Sequence, residues 1–471
     1  MERMSGIDAA FLYFETPNMH MHVVATIVHD PSTAPRGYSY EGVKRMINSR
    51  LHLAPPLRRK LAPTPFNLHH PVWVEDNDFD LDYHVRRIGC PAPGTEEQLA
   101  EIVGDIASRP LDRTRPLWEV WIVEGLEHGY IAAVAKMHHC TIDGVSGANF
   151  MVHFMDLSPE ESARPALPDE WKPDRKPSEL ELFGRAVIAR IQKPVNWFRV
   201  VPATLKSVGG FIAARRRTEG PGMPTPLRAP RTSFNTTVTP HRRIAYTHVS
   251  LEDVKAIKRA FGTTVNDAVL AIVSGALRRY LESRNEMPDR TLIAAVPVSV
   301  RTDEEKGDVG SNRVSAMFST LATDIDDPVE RLKAIAEANV GAKEEHKAIG
   351  ADMLTKWGEL AAPTTFSLAA RFYAGLKLAE RHPVVHNLVI SNVPGPNFPL
   401  YFAGAKLVAL YPLGPIFDGA GLNITVVSYM DQMFFGLIGC REIVDVWDIA
   451  RDIPESFAEL HKAAGAVGSN A

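Results

Sequence analysis

The stretch that decides the fold is Tyr130-Ile131-Ala132-Ala133-Val134-Ala135-Lys136-Met137-His138-His139-Cys140-Thr141-Ile142-Asp143-Gly144. Its first ten residues read as a strand that delivers two histidines at its end. Neighbours along a strand point to opposite faces. His139 therefore shares a face with Ile131, Ala133, Ala135 and Met137, and His138 shares the other with Ala132, Val134 and Lys136. The more apolar face favours His139 as the reactive imidazole and leaves His138 in support. Asp143-Gly144 reads as a turn. Val145 to Leu157 then carries Val145, Ala148, Val152 and Met155 at near-helical spacing. Strand, histidine, turn and helix put a base on a rigid edge rather than on a loop.

A histidine presented in this way suits acyl transfer to a hydroxyl. A hydroxyl is about as weak an acid as water, with a pKa of roughly 16, so it needs a base at the moment of attack on a thioester. An imidazole, with a free pKa of roughly 6.5, is poised for that task. Such help contributes typically ~10²–10⁴ in rate. The developing oxyanion needs a fixed donor, and water has to be excluded or the thioester is hydrolysed. Other chemistries fit less well. Cys140 beside His139 could act as a thiol nucleophile, but an extended strand would point it away from His139. Gly144-Val145-Ser146-Gly147 lacks the spacing of a nucleophile elbow. His20-Met21-His22, His69-His70 and His382 with His386 have no third ligand at a typical spacing and no HExxH occurs, so no metal is expected.

Around this stretch the 471 residues divide by composition into three regions. Residues 1–165 mix strand-like and helix-like segments, including a strand at His22 to His29 and a helix from Glu97 to Ala107 that starts near Thr95. Residues 166–238 form a proline-bounded crossover with helix-like stretches at Glu181 to Gln192 and Trp197 to Arg217. Between Glu181 and Arg217 stand eight Lys/Arg and one acidic residue, with Phe183, Trp197, Phe198 and Phe211 on the apolar side. That bias fits contact with an anionic membrane or lipid droplet. Residues 239–471 alternate again. Strands are expected at Ile244 to Val249, Thr291 to Val300 and Val314 to Leu321. Ser250 caps a helix Leu251 to Phe261 that Gly262 ends. Thr263 or Thr264 caps a helix Val265 to Leu281, Asp327-Pro328 opens another, and Leu422 to Ser428 pairs with Met433 to Cys440 as a hairpin. Interleaved strands and helices in both halves indicate a mixed α/β class.

Net charge is −4, with 45% hydrophobic and 23% charged residues, so no basic field points to nucleic acid. Three unclustered cysteines, Cys90, Cys140 and Cys440, argue for a reducing compartment and against a disulfide framework. The N-terminus lacks a signal-peptide pattern, and no apolar run is long enough to span a bilayer. A cytoplasmic protein, peripherally associated with membrane or lipid droplets, is the expectation.

His138-His139-x-x-x-Asp143-Gly144 is the HHxxxDG signature of the CoA-dependent acyltransferase superfamily. Three further motifs narrow it: Pro116-Leu117-Trp118-Glu119, Asn266-Asp267 within Val265 to Ala271, and Ser391-Asn392-Val393-Pro394-Gly395-Pro396. Together they resemble the bacterial wax ester synthase/diacylglycerol acyltransferase family, in particular its triacylglycerol synthase branch. The likeness runs from Ser5-Gly6-Ile7-Asp8-Ala9 to the C-terminal helix. It implies two chloramphenicol-acetyltransferase-like domains, joined by a long helical crossover, with a tunnel at their interface. It implies His139 as the base and Asp143, beside Gly144, as a structural group that pairs with an arginine, for which Arg301 is the candidate. Asn266 and Asp267 shape the site, with Asn266 a candidate oxyanion donor. Pro116, Leu117 and Trp118 form a wall, and Ser391 and Asn392 are candidates for substrate contact. The implied substrates are acyl-CoA and diacylglycerol or a long-chain alcohol, with no cofactor. A different class stays open, a non-catalytic lipid-binding or lipid-droplet protein of the same fold.

Overall fold

The structure, a computed structural model, describes residues 2–141, 153–160, 177–188, 215, 222–224, 227–299, 314–349 and 363–468. Two six-stranded sheets carry it. The strands of the first are β2 (His22–Asp30), β5 (Val85–Gly89), β6 (Trp118–Glu124), β7 (Ile131–His138), β12 (Tyr401–Phe402) and β13 (Ala405–Leu413). They lie in the order β12-β13-β2-β7-β6-β5. The second holds β8 (Arg242–Ser250), β9 (Ile293–Ser299), β10 (Val314–Thr320), β11 (Leu388–Val393), β14 (Leu422–Tyr429) and β15 (Gln432–Cys440), in the order β10-β9-β11-β14-β15-β8. A small third sheet pairs β1 (Glu2–Arg3), β4 (Val72–Glu75) and β3 (Arg59–Ala62). The first sheet is thus completed by residues 401–413, which leave the second sheet after β11 and return to it at β14.

Helices start and stop where the local chemistry says they should. Helix α1 (Gly6–Phe14) is capped by Ser5, whose hydroxyl accepts the Asp8 N–H. Helix α2 (Tyr40–Arg50) is capped by Ser39. Helix α3 (Glu96–Ala107) opens with a reciprocal capping box between Thr95 and Gln98. In the second half, Ser250 caps α4 (Leu251–Phe261), and Gly262 ends it at φ 65°, a left-handed conformation that costs glycine little. Of Thr263 and Thr264, it is Thr264 that caps α5 (Val265–Ser283), in a box with Asp267. Helices α6 (Pro328–Ile349), α7 (Pro363–Gly375) and α8 (Val446–Gly468) follow.

Helix α5 is apolar from Ala268 to Leu277 apart from Ser274, whose hydroxyl donates to the Leu321 carbonyl, and is correspondingly buried, the central post of the second core. The two halves are pressed together at several points. The Thr26 and Tyr246 hydroxyls lie 2.9 Å apart, and the Tyr246 ring stacks on Tyr411. A Cβ on Gly436 of β15 would stand 2.1 Å from the Pro412 carbonyl of β13, so the sheets meet at a distance that only glycine permits. Among the described residues no single helix is long and apolar enough to cross a membrane.

Candidate active site

The end of β7 is held from both sides. His138 stands opposite His22 of β2, and its N–H donates to the Leu117 carbonyl at 3.0 Å. The His139 N–H donates to the Met21 carbonyl at 2.7 Å, and the Thr141 N–H closes a turn on the His138 carbonyl at 2.9 Å. The strand therefore ends at His138, and His139 opens the turn that follows. The two imidazoles have different surroundings. The His139 ring is half-buried and stacks on Phe11 of α1, centroids 4.0 Å apart and planes 13° off parallel. The His138 ring is buried. Its Nε2 lies 3.0 Å from Glu15 Oε2, and its Nδ1 accepts the Cys140 N–H at 3.1 Å.

Glu15 sits just past the end of α1 and gathers a polar cluster. Arg113 Nη2 reaches its Oε2 at 2.5 Å, and His22 Nε2 lies 3.6 Å from its Oε1. Burial works against ionising this carboxyl. The hydrogen bond from His138 and the Arg113 charge outweigh it and hold the Glu15 pKa down at about 2. Burial pushes the pKa of His138 below its ordinary value, against the pull of Glu15, and that of His22 well below it. Burial, reinforced by the Asp8 charge, pushes the Cys140 thiol well above its usual range. The thiol lies among Met4, Leu12, Leu111 and Leu117. A thiol kept protonated in apolar surroundings is a poor nucleophile.

The Pro116-Leu117-Trp118 motif lies alongside this strand end, where Trp118 of β6 stands opposite Met137. Leu117 is fully buried, and its carbonyl holds His138. Trp118 donates through Nε1 to the Leu57 carbonyl at 2.8 Å and stacks on His84 at 4.5 Å. Next to it, Glu119 lies 3.7 Å from the buried Lys136 ammonium, which donates to the Ile106 and Arg109 carbonyls.

Asn266 is the second residue of α5 and half-buried, and among the described residues its side chain makes no hydrogen bond. Asp267 is buried and fully engaged. One oxygen accepts from the Thr264 N–H and hydroxyl at 2.9 and 2.6 Å, the other from Asn339 of α6 at 2.8 Å. Asn339 in turn accepts from Ser319 of β10 at 2.7 Å. Asp267 thus locks the start of α5 to two neighbouring elements.

Ser391 and Asn392 lie half-buried on β11 where the second sheet opens. The parallel β9–β11 ladder pairs only Ala294 with Leu388 and Ala295 with Val389. Beyond that point β11 stays with β14 and β9 with β10. The following loop is pinned to the β14–β15 hairpin: the Gly395 N–H donates to the Ser428 hydroxyl and the Met430 N–H to the Pro396 carbonyl, both at 3.1 Å. Asp143, Gly144 and Arg301 lie outside the described residues, as do most of the expected helix 145–157 and of the crossover. Among the described residues no cluster of three His, Cys, Asp or Glu side chains could hold a metal. Reading the sequence gave no site role to Phe11, Glu15 or Arg113 and weighed His22 only as a metal ligand. Phe11 and Glu15 are one helical turn apart, but His22, Arg113 and the two histidines at the end of β7 reach them from other segments, with no local pattern to announce it.

Two such α/β halves, with a histidine at a strand end and a second one buried behind it, define a CoA-dependent acyltransferase or condensation-domain fold. The trichothecene 15-O-acetyltransferase from Fusarium sporotrichioides shares that fold: TM-score 0.58 at 12% identity, covering 98% of this chain and 94% of that one. The chain belongs to the wax ester synthase/diacylglycerol acyltransferase family. The family's catalytic domain matches residues 4–269 and its C-terminal domain residues 310–461. The wax ester synthase/diacylglycerol acyltransferase from Marinobacter aquaeolei VT8 superposes with a TM-score of 0.71 at 29% identity, covering 99% of this chain and 100% of that one. A Mycobacterium tuberculosis (strain CDC 1551 / Oshkosh) protein, provisionally named a diacylglycerol O-acyltransferase, is 39% identical over 98% of this chain and 90% of its own. The chain is an acyltransferase.

Proposed function

We propose that this chain moves a long-chain acyl group from acyl-CoA to the free hydroxyl of diacylglycerol, with His139 as general base and no covalent intermediate. The observation that carries the reading is the contrast at the end of β7. His138 is buried with both ring nitrogens committed to Glu15 and the Cys140 amide, which gives it to the framework, and His139 stands half-buried at the opening of the turn with its ring face on Phe11. In the reaction, His139 accepts the hydroxyl proton as the oxygen attacks the thioester carbonyl. The tetrahedral intermediate then collapses, the C–S bond breaks, and the CoA thiolate takes the proton back from the imidazolium. A thiolate, with a conjugate pKa of roughly 8.5, leaves without a strong acid, so one histidine serves both steps and no cofactor is required.

Asn266 is the candidate donor to the oxyanion, because its amide is uncommitted at a helix N-terminus, where the dipole favours negative charge. Asp143, beside Gly144, is assigned an orienting role with Arg301 as its counter-ion. Ser391 and Asn392, at the opening between β9 and β11, are assigned to acyl-CoA contact in a tunnel between the lobes. Residues 1–165 and 239–471 form the two lobes and 166–238 the crossover, with 401–413 lent back to the first sheet.

A water-insoluble acceptor calls for work at a lipid surface. Supporting peripheral contact, residues 179–188 are helical with Leu180 and Ile188 exposed, and α7 turns Leu368 and Phe372 outward one turn apart, with exposed Leu376 in the turn that follows it and exposed Arg371 and Lys377 alongside. A long-chain alcohol acceptor needs the same chemistry, and the Marinobacter relative's name carries both activities. A paired assay decides between them. With labelled palmitoyl-CoA, dioleoylglycerol should be acylated faster than hexadecanol; the reverse order would reassign the chain as a wax ester synthase.

A further inference from the structure

Helix α1 grips both histidines. Phe11 stacks on His139, and one turn further on Glu15 holds His138. We propose that Glu15 is a positioning residue for acyl transfer: it locks His138 in the neutral Nε2–H tautomer and, through the Cys140 amide, fixes the turn that presents His139. The inference rests on His139 being the base.

The tautomer follows from the two ends of the His138 ring. The Cys140 N–H is an obligate donor, so Nδ1, 3.1 Å away, has to offer its lone pair. An ionised carboxylate is an obligate acceptor, so Nε2, 3.0 Å from Glu15, has to carry the hydrogen. Both demands select one neutral tautomer. A second proton would go to Nδ1 and set two N–H groups against each other, which breaks the bond to the residue directly after His139. A flipped ring would fail at both ends.

Glu15 is itself fixed. The Arg113 guanidinium that reaches its Oε2 also donates to the Leu12 carbonyl at 3.0 Å, which ties the carboxylate to the last turn of α1. The titratable neighbours come from every element packed on the pair. His22 of β2 lies against Glu15 and edge-on to His138 at 5.8 Å, and His20 stacks on His22 at 5.4 Å. Lys136 of β7 and Arg242 of β8 lie within charge range of His22, and Asp8 of α1 within range of Cys140. Burial keeps the three histidines neutral at ordinary pH, which leaves Glu15 and Arg113 as a compensating pair at the centre. Misplacing a base by about 1 Å costs on the order of 100-fold in rate, so this arrangement has leverage on catalysis without touching substrate.

The test is a double-mutant cycle. At position 138 an asparagine oxygen can replace Nδ1 as acceptor for the Cys140 amide but cannot reach Glu15. Glu15→Leu, which removes the acceptor, should lower kcat about 10- to 100-fold with the KM for palmitoyl-CoA unchanged within about two-fold. In a His138→Asn background the same Glu15→Leu change should cost less than about two-fold, because the turn no longer depends on the carboxylate. Equal losses in the two backgrounds, or a loss confined to KM, would overturn the proposal. If Glu15→Leu fails to fold, ¹⁵N NMR of histidine-labelled parent protein still decides. Nδ1 of His138 should be unprotonated and Nε2 protonated, and a protonated Nδ1 overturns the assignment. A His139→Ala control separates the two levels: activity surviving that change refutes the base, whatever Glu15 does.

Discussion

Lowering the pH from about 7.5 to about 5.5 should strip this protein of a large share of its stability, and the amount follows from its buried histidines. His20, His29 and His386 sit with their pKa values depressed by burial to about 4, about 3 and about 4. His29 is fully buried against Phe402, and His386 lies beside Phe318. In the unfolded chain each titrates near 6.5, so below that pH the unfolded state binds protons that the folded state refuses. The stability is present above the unfolded value and is lost as pH falls towards the folded one. At about pH 5.5 each of the three costs about 1.4 kcal/mol, together about 4 kcal/mol, against the 5–15 kcal/mol typical of a domain. His22, His84 and His138 are depressed by burial too and act in the same direction. Glu96 and Asp418, raised by burial, oppose it only near the carboxylate range. Urea unfolding followed by circular dichroism at the two pH values measures the difference. The midpoint should fall with little change in slope. A midpoint at about pH 5.5 equal to or above that at about pH 7.5 would show that these imidazoles are not buried neutral.

Two further perturbations probe the framework of the site. Arg50 and Asp156, both buried, pair at 2.6 Å and tie α2 to the segment after the histidine motif, so Asp156→Ala should destabilise by about 3–5 kcal/mol; a thermal melt within a degree of the parent would contradict that. Gly395→Ala would set a Cβ 2.0 Å from the Ser428 carbonyl and undock the loop after β11. A loss of about 1–3 kcal/mol and a raised KM for acyl-CoA are expected, and unchanged values of both would detach that loop from substrate binding.

Much of this architecture was legible in the chain because its signals are local. Thr95, Ser250 and Gly262 mark helix ends by their own side-chain and backbone chemistry, and Tyr130 to His138 declares a strand by composition. The sequence left Thr263 and Thr264 level as caps; the reciprocal bond to Asp267 decides for Thr264. What stayed hidden is non-local. Nothing in Ala405 to Leu413 says that, besides its neighbour β12, it pairs with β2 from the far end of the chain rather than with a strand of the second sheet, because a ladder is defined only by its partner. Glu15, His22, Arg113 and His138 converge from four separate segments. Glu15 reads in sequence as an ordinary charged residue at a helix end, and only folding reveals it as a buried carboxylate between an arginine and a histidine.

The central claim is that His139 is the base for acyl transfer. Palmitoyl-CoA and dioleoylglycerol should be mixed with the parent and with His139→Ala, and free CoA release followed with a thiol reagent. Loss of general-base help predicts a fall in kcat of at least about 10²–10⁴, with the fold and the KM for palmitoyl-CoA retained. Diacylglycerol-dependent CoA release at the parent rate by a folded His139→Ala protein would contradict the account.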